Sequence, residues 1–102
     1  MIHVIATITC TSGRRADFLV EFKKIVPLVL AEDGCLAYGP TIDHAVSLPV
    51  PVPTRPDTVI VIEQWRDTAA LKAHLSAPHM ISYRERVTDL VNVVAIQVLE
   101  PA

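Results

Sequence analysis

The chain predicts an α+β fold: a ferredoxin-like sandwich with a four-stranded antiparallel sheet and its helices on one face. Three observations lead there. Apolar periodicity alternates between strand-like and helical in the order β-α-β-β-α-β. Right-handed crossovers fold that order into one sheet. The 102 residues form one domain, 1–102, with no room for a second core.

Residues 2–10 form the first strand, where Ile2, Val4, Ala6 and Ile8 alternate with His3, Ile5, Thr7 and Thr9. "TSG" ends it, and Ser12 is placed to cap a helix. From about 14 to 31, Phe18, Phe22, Ile25 and Val29 recur at helical spacing, widened by Leu19, Val26 and Leu30. Pro27 removes one helix hydrogen bond and bends the last turns, and Gly34 in "EDGC" stops the helix. Residues 35–46 read as an interrupted strand, with Gly39 and Pro40 marking a bulge or bend that suits a sheet edge. "SLPVPVPTRPD", 47–57, has four prolines and is extended. It is a stiff surface loop, a flap over a pocket, or an arm laid on a second subunit.

Residues 58–66, "TVIVIEQWR", are the strongest strand. Asp67 caps a short helix running to about Leu75, and Pro78 opens a further one. Met80, Tyr83, Val87, Leu90 and Val91 keep helical period, and residues 93–99 form the last strand. Ile60 and Ile62 alternate with Val59 and Val61, so neither face of the third strand is polar. A second sheet from another copy is the simplest cover, which predicts a homodimer through the sheets.

Composition narrows the function classes. Apolar residues make up 51% and charged residues 20%, which excludes a disordered chain. The net charge is -2 and the nine basic residues are scattered, so nucleic acid is not an expected partner. No apolar run reaches the ~20 residues that span a membrane. "MIHVIATITC" lacks the features of a signal peptide. Cys10 and Cys35 match no zinc or redox motif and read as reduced thiols of a cytoplasmic protein.

The candidate chemistry lies in "VIVIEQWRDTAALKAHLSAPHM". Glu63 and Trp65 share one face of a strand with Val59 and Val61. Facing the helices, such a carboxylate is partly buried and needs a donor or a proton; a salt bridge is its structural alternative, and core packing that of Trp65. His74 follows Leu71 by about one helical turn, so its ring can point inward. His79 sits just after Pro78, where a helix start disfavours the imidazolium and favours a base. There is no His-Glu-x-x-His motif and no cysteine cluster for zinc, so no metal site is expected. Nor is there a Gly-rich loop for a nucleotide or flavin.

Two segments, "GRRADFLVEFKKIVPLVLAEDGCLAY" and "VIVIEQWRDTAALKAHLSAPHM", resemble the antibiotic biosynthesis monooxygenase superfamily. Its pattern is a Gly before the first helix, then E-x-G-C-x-x-Y, E-x-W and A-x-L-x-x-H-L-x-x-x-H. Gly13, Glu32, Gly34, Cys35, Tyr38, Glu63, Trp65, Leu71, His74, Leu75 and His79 fill it. The resemblance is strongest to the quinol monooxygenase branch. It implies a ferredoxin-like dimer, a pocket between sheet and helices, and oxygenation of quinols or phenolic aromatics by O2 without metal, flavin or haem. On that reading His74 or His79 is the base. Trp65 and Tyr83 shape the pocket, Glu63 lies in it, and Tyr38 or His44 hydrogen-bonds the quinone oxygens. The haem-degrading branch is excluded, because its Asn, Trp and His positions correspond to Ala6, His74 and Arg84. Val61 stands where the polyketide-oxidising branch has an Asn. Two rivals are an isomerase of a small phosphorylated carbonyl compound, with Arg84 and Arg66 as its cations, and a non-catalytic dimeric binding or stress protein.

Overall fold

Strand β1 (Ile2–Cys10) runs through the interior of one antiparallel sheet in the computed structural model, which describes residues 1–50 and 52–102. Pro51, part of the proline run singled out above, lies outside the described residues. β2 (Cys35–Thr41), β3 (Thr58–Trp65) and β4 (Val91–Leu99) complete the sheet in the order β2-β3-β1-β4. Helix α1 (Arg15–Leu30) links β1 to β2, while α2 (Thr68–Leu75) and α3 (Pro78–Arg86) link β3 to β4. This is the predicted ferredoxin-like arrangement, with the second helix broken at Ser76–Ala77.

Register sets the two faces. Val4 pairs with Glu63, Ala6 with Val61 and Ile8 with Val59, so these six side chains share a face. That face packs on Phe18, Phe22, Ile25 and Val29 of α1, all essentially inaccessible. Burying each such side chain contributes about 1.5–3 kcal/mol. Ile5, Ile62, Thr7, Ile60, Thr9 and Val93 lie on the opposite face. Among the described residues no helix covers that side, and Ile62 and Val93 are 45% and 55% exposed.

Several boundaries differ from the sequence reading. Ser12 does not cap α1. Arg14 occupies the cap position, with no side-chain cap, because Gly13 turns at φ 75 and Arg14 N–H closes that turn on the Thr11 carbonyl at 2.9 Å. The irregularity in β2 falls between Cys35 and Ala37, whereas Gly39 and Pro40 sit in register against Ile62 and Val61. Pro40 is tolerated because β2 is an edge strand and has no partner to donate to on its outer side. The strand stops at Thr41 rather than reaching 46. α3 ends at Arg86: Val87 and Leu90 stay buried but in turns, and Val91 already belongs to β4. Cys10 and Cys35 are free thiols on non-adjacent strands.

The helices stop short of β4. Val94, Ile96 and Val98 pair with Ile8, Ala6 and Val4 on the helix side of the sheet, yet remain 50–53% exposed. The space between sheet and helices is therefore open along this edge. The long connection from β2 to β3 is clasped at its base. The Arg55 guanidinium contacts both Asp43 carboxylate oxygens at 2.8 Å, and Arg55 N–H adds a third hydrogen bond at 2.9 Å. These donors hold the Asp43 carboxyl down at about 2. Arg55→Ala is expected to release the clasp and speed proteolytic nicking between residues 44 and 54 several-fold, read by limited proteolysis and mass spectrometry.

Candidate active site

The turn between α1 and β2 sets the back of the site. Glu32 N–H donates to the Val29 carbonyl at 2.9 Å and Cys35 N–H to the Glu32 carbonyl at 3.1 Å, so its backbone is held on both sides. Gly34 follows at φ +82, and a Cβ there would lie 2.6 Å from Ala70 Cβ. The missing side chain lets α2 close on the turn. Ala70 and His74 are four apart on one helix face, so this approach also brings His74 to Glu32. Asp67 caps α2 by accepting from Ala70 N–H at 2.8 Å. Gly34→Ala combines a left-handed backbone with overpacking and is expected to cost about 2–4 kcal/mol in urea unfolding.

His74 is 2% exposed. Its Nδ1 lies 2.9 Å from Glu32 Oε2, and His79 Nε2 lies 2.9 Å from the same oxygen. Trp65 packs on the His74 ring at 4.7 Å between centroids, and Tyr38 meets it edge-on at 5.4 Å. Trp65 Nε1–H donates to Glu63 Oε1 at 2.8 Å, which supplies the donor this buried carboxylate needs.

In front of His74 lies a cavity of about 130 Å³ between the sheet and the helices. Ala6, Ile8, Phe22, Val61, Met80 and the β4 residues Val94 and Ile96 make it apolar. Tyr38, Glu63, His74, Tyr83 and Arg84 bring the polar atoms to its wall. Burial pushes the Tyr38 and Tyr83 phenols well above their ordinary range, so both remain protonated donors. Burial also raises the Glu63 carboxyl, which the Trp65 hydrogen bond partly offsets and Glu32 reinforces. For His74 burial is the largest influence and lowers its proton affinity, while Glu32 opposes it. A neutral imidazole beside neutral phenols in an apolar cavity can take a proton from a hydroxylated aromatic and hydrogen-bond the anion it leaves.

Of the seven residues singled out in the sequence, four reach the cavity wall: Tyr38, Glu63, His74 and Tyr83. Trp65 is inaccessible and stands behind His74 and Glu63 rather than in the cavity. His79 meets the same Glu32 oxygen but does not line the cavity, its side chain 25% exposed. His44 lies elsewhere, lining a separate surface hollow with Val46, Leu48 and Val52 of the proline-rich loop. β2 ends at Thr41, so His44 is not carried along the sheet as a 35–46 strand required. Sequence reasoning gave no part in the site to Glu32, Phe22 or Met80. Glu32 was visible only as part of a motif, because its contact to His74 spans 42 residues.

This fold, with an apolar cavity between sheet and helices and polar groups on its wall, defines a small α+β protein with a candidate ligand pocket. The antibiotic biosynthesis monooxygenase profile matches residues 1–86, and the chain belongs to that family. Over 103 aligned residues it is 42% identical to "Probable quinol monooxygenase YgiN" of Escherichia coli K12, covering 99% of this chain and 98% of that protein. The Shigella flexneri protein of the same name matches equally. Among solved structures, PA3566 from Pseudomonas aeruginosa superposes with a TM-score of 0.82 at 30% identity, covering 99% of this chain and 93% of that one. Rv0793 from Mycobacterium tuberculosis gives 0.80 at 25% identity, covering 99% and 94%.

Proposed function

We propose that this chain is a monooxygenase that oxidises quinols or related phenolic aromatics with O2 and no bound cofactor, with His74 as the base. The observation that supports it most directly is His74 itself. Its ring is nearly inaccessible, yet it lines a cavity whose other polar groups are two neutral phenols, a carboxyl of raised proton affinity and the Arg84 guanidinium. The relatives named probable quinol monooxygenase point the same way.

The chemistry balances without a further reductant. His74 Nε2 takes a phenolic proton, and the electron-rich quinolate reduces O2. One oxygen atom replaces a ring hydrogen as hydroxyl, the ring becomes a quinone, and the other oxygen leaves as water. The tyrosine hydroxyls hydrogen-bond the quinolate and product oxygens. The isomerase reading is weaker. Arg66 is engaged by Asp33 and Asp67 and does not line the cavity, which leaves Arg84 as the one guanidinium there for a phosphate.

The apolar outer face of the sheet and the uncovered β4 support a homodimer through the sheets as the working form. The two free thiols fit a reducing cytoplasm.

The test is oxygen uptake with a chemically reduced naphthoquinol, compared with a protein-free blank. Saturable uptake above autoxidation, with one atom of 18O from labelled O2 in the product, supports the proposal. Uptake equal to the blank across one-ring and two-ring quinols overturns it.

A further inference from the structure

We infer that Glu32 is the positioning residue of this site, acting through His74 by fixing which ring nitrogen carries the proton. This deepens the proposed function and rests on it for catalytic consequence, though the tautomer itself is independent of any substrate. One carboxylate oxygen, Oε2, lies 2.9 Å from both His74 Nδ1 and His79 Nε2. A carboxylate only accepts, so both nitrogens must donate. His74 is thereby held as the Nδ1–H form, the minor one for a free histidine side chain. The Nε2 lone pair is left for the cavity that the ring lines. The opposite tautomer would set two lone-pair-bearing atoms against each other at 2.9 Å in a nearly dry place.

The arrangement also excludes a simpler idea, that the three groups conduct the substrate proton outward. His79 Nε2 already carries a hydrogen toward Glu32, so it cannot accept one from it. His79 acts instead as the second donor that anchors the carboxylate. Glu32 then has two effects on His74: it sets the tautomer, and its charge stabilises the imidazolium formed on proton abstraction. The other charged or titratable groups around the ring and its cavity are Tyr38 and Glu63 from the sheet, and His79, Tyr83 and Arg84 from α3.

The first test reads the wild type. In 15N-labelled wild type at pH 8, the His74 signals, assigned by their loss in His74→Asn, are expected to show a pyrrole-type Nδ1 and a pyridine-type Nε2. A pyrrole-type Nε2 overturns the inference. Glu32→Gln, which removes the charge and offers either an acceptor oxygen or a donor NH2, is then expected to loosen the tautomer preference and lower kcat on the order of 10- to 100-fold with little change in KM. Its acid limb should move to lower pH, because the carboxylate that raises the His74 proton affinity is gone. Should Glu32→Gln fold poorly, His79→Ala retains the Glu32–His74 pair and should leave the Nδ1–H tautomer in place. A correct tautomer with no turnover of any quinol removes the proposed function and leaves the positioning role standing.

Discussion

His74→Asn is expected to reduce quinol-dependent oxygen uptake by on the order of 10²–10⁴-fold at saturating substrate, the range spanned by a positioned general base. Asparagine is the informative replacement. Its amide nitrogen sits near the position of Nδ1 and can still donate to Glu32, while nothing replaces the lone pair of Nε2. His74→Ala removes the same base but leaves a void against Trp65, whose ring packs at 4.7 Å, and strips one donor from Glu32. Alanine should therefore lose activity to the same extent and stability in addition, and asparagine should separate the two. A variant that keeps wild-type uptake returns His74 to the scaffold and moves the base elsewhere in the cavity.

The pH dependence follows from the same residue. Burial holds the folded His74 below its ordinary value of about 6.5, so the neutral base persists into mildly acidic solution. The acid limb of kcat should lie below that value. Stability has a definite sign. The unfolded chain takes up the His74 proton first, so acidification below about 6.5 favours unfolding until the folded group also titrates. His74→Asn should flatten that part of the stability profile, measured by urea unfolding between pH 5 and 8.

Much of this was legible in the sequence because it rests on local patterns. The strand alternation of β1 and β3, the Asp67 cap and Pro78 at the first turn of α3 are each set by neighbouring residues. The face shared by Glu63 and Trp65 follows from strand period alone, and both are indeed buried. The parts that were not legible depend on tertiary packing. Nothing near His44 shows that β2 stops at Thr41, since an Asp43–Arg55 clasp 12 residues long redirects the chain. Nothing near Glu32 announces two histidines more than 40 residues away. The helical period through Leu90 and Val91 misled because a turn can bury Val87 and Leu90 as well as a helix can.

The largest stability effect is expected at Trp65, and it ties the core to the site. Trp65→Ala removes an inaccessible ring, which costs about 3–5 kcal/mol from lost burial and the residual void. It also removes the N–H that serves Glu63, leaving a carboxylate that is 5% exposed without that donor. Trp65→Phe separates these contributions, since it keeps most of the packing and removes the same hydrogen bond. Its cost should be about 1–3 kcal/mol at neutral pH, the range for a buried acceptor left unmatched. The sign of its pH dependence distinguishes the hydrogen bond from packing. Burial raises the folded Glu63 above the ordinary carboxyl value, so ionising it costs stability as pH rises through its folded value. The tryptophan N–H opposes that rise, and without it the folded value climbs further. The Trp65→Phe defect should therefore shrink toward pH 4.5 and widen toward pH 8 in urea titrations. A defect independent of pH would mean that Trp65 serves only as packing. A widening defect would mean that the fold tolerates an ionisable group at a place an apolar residue could fill, and that the tryptophan holds its carboxylate ready at the cavity wall.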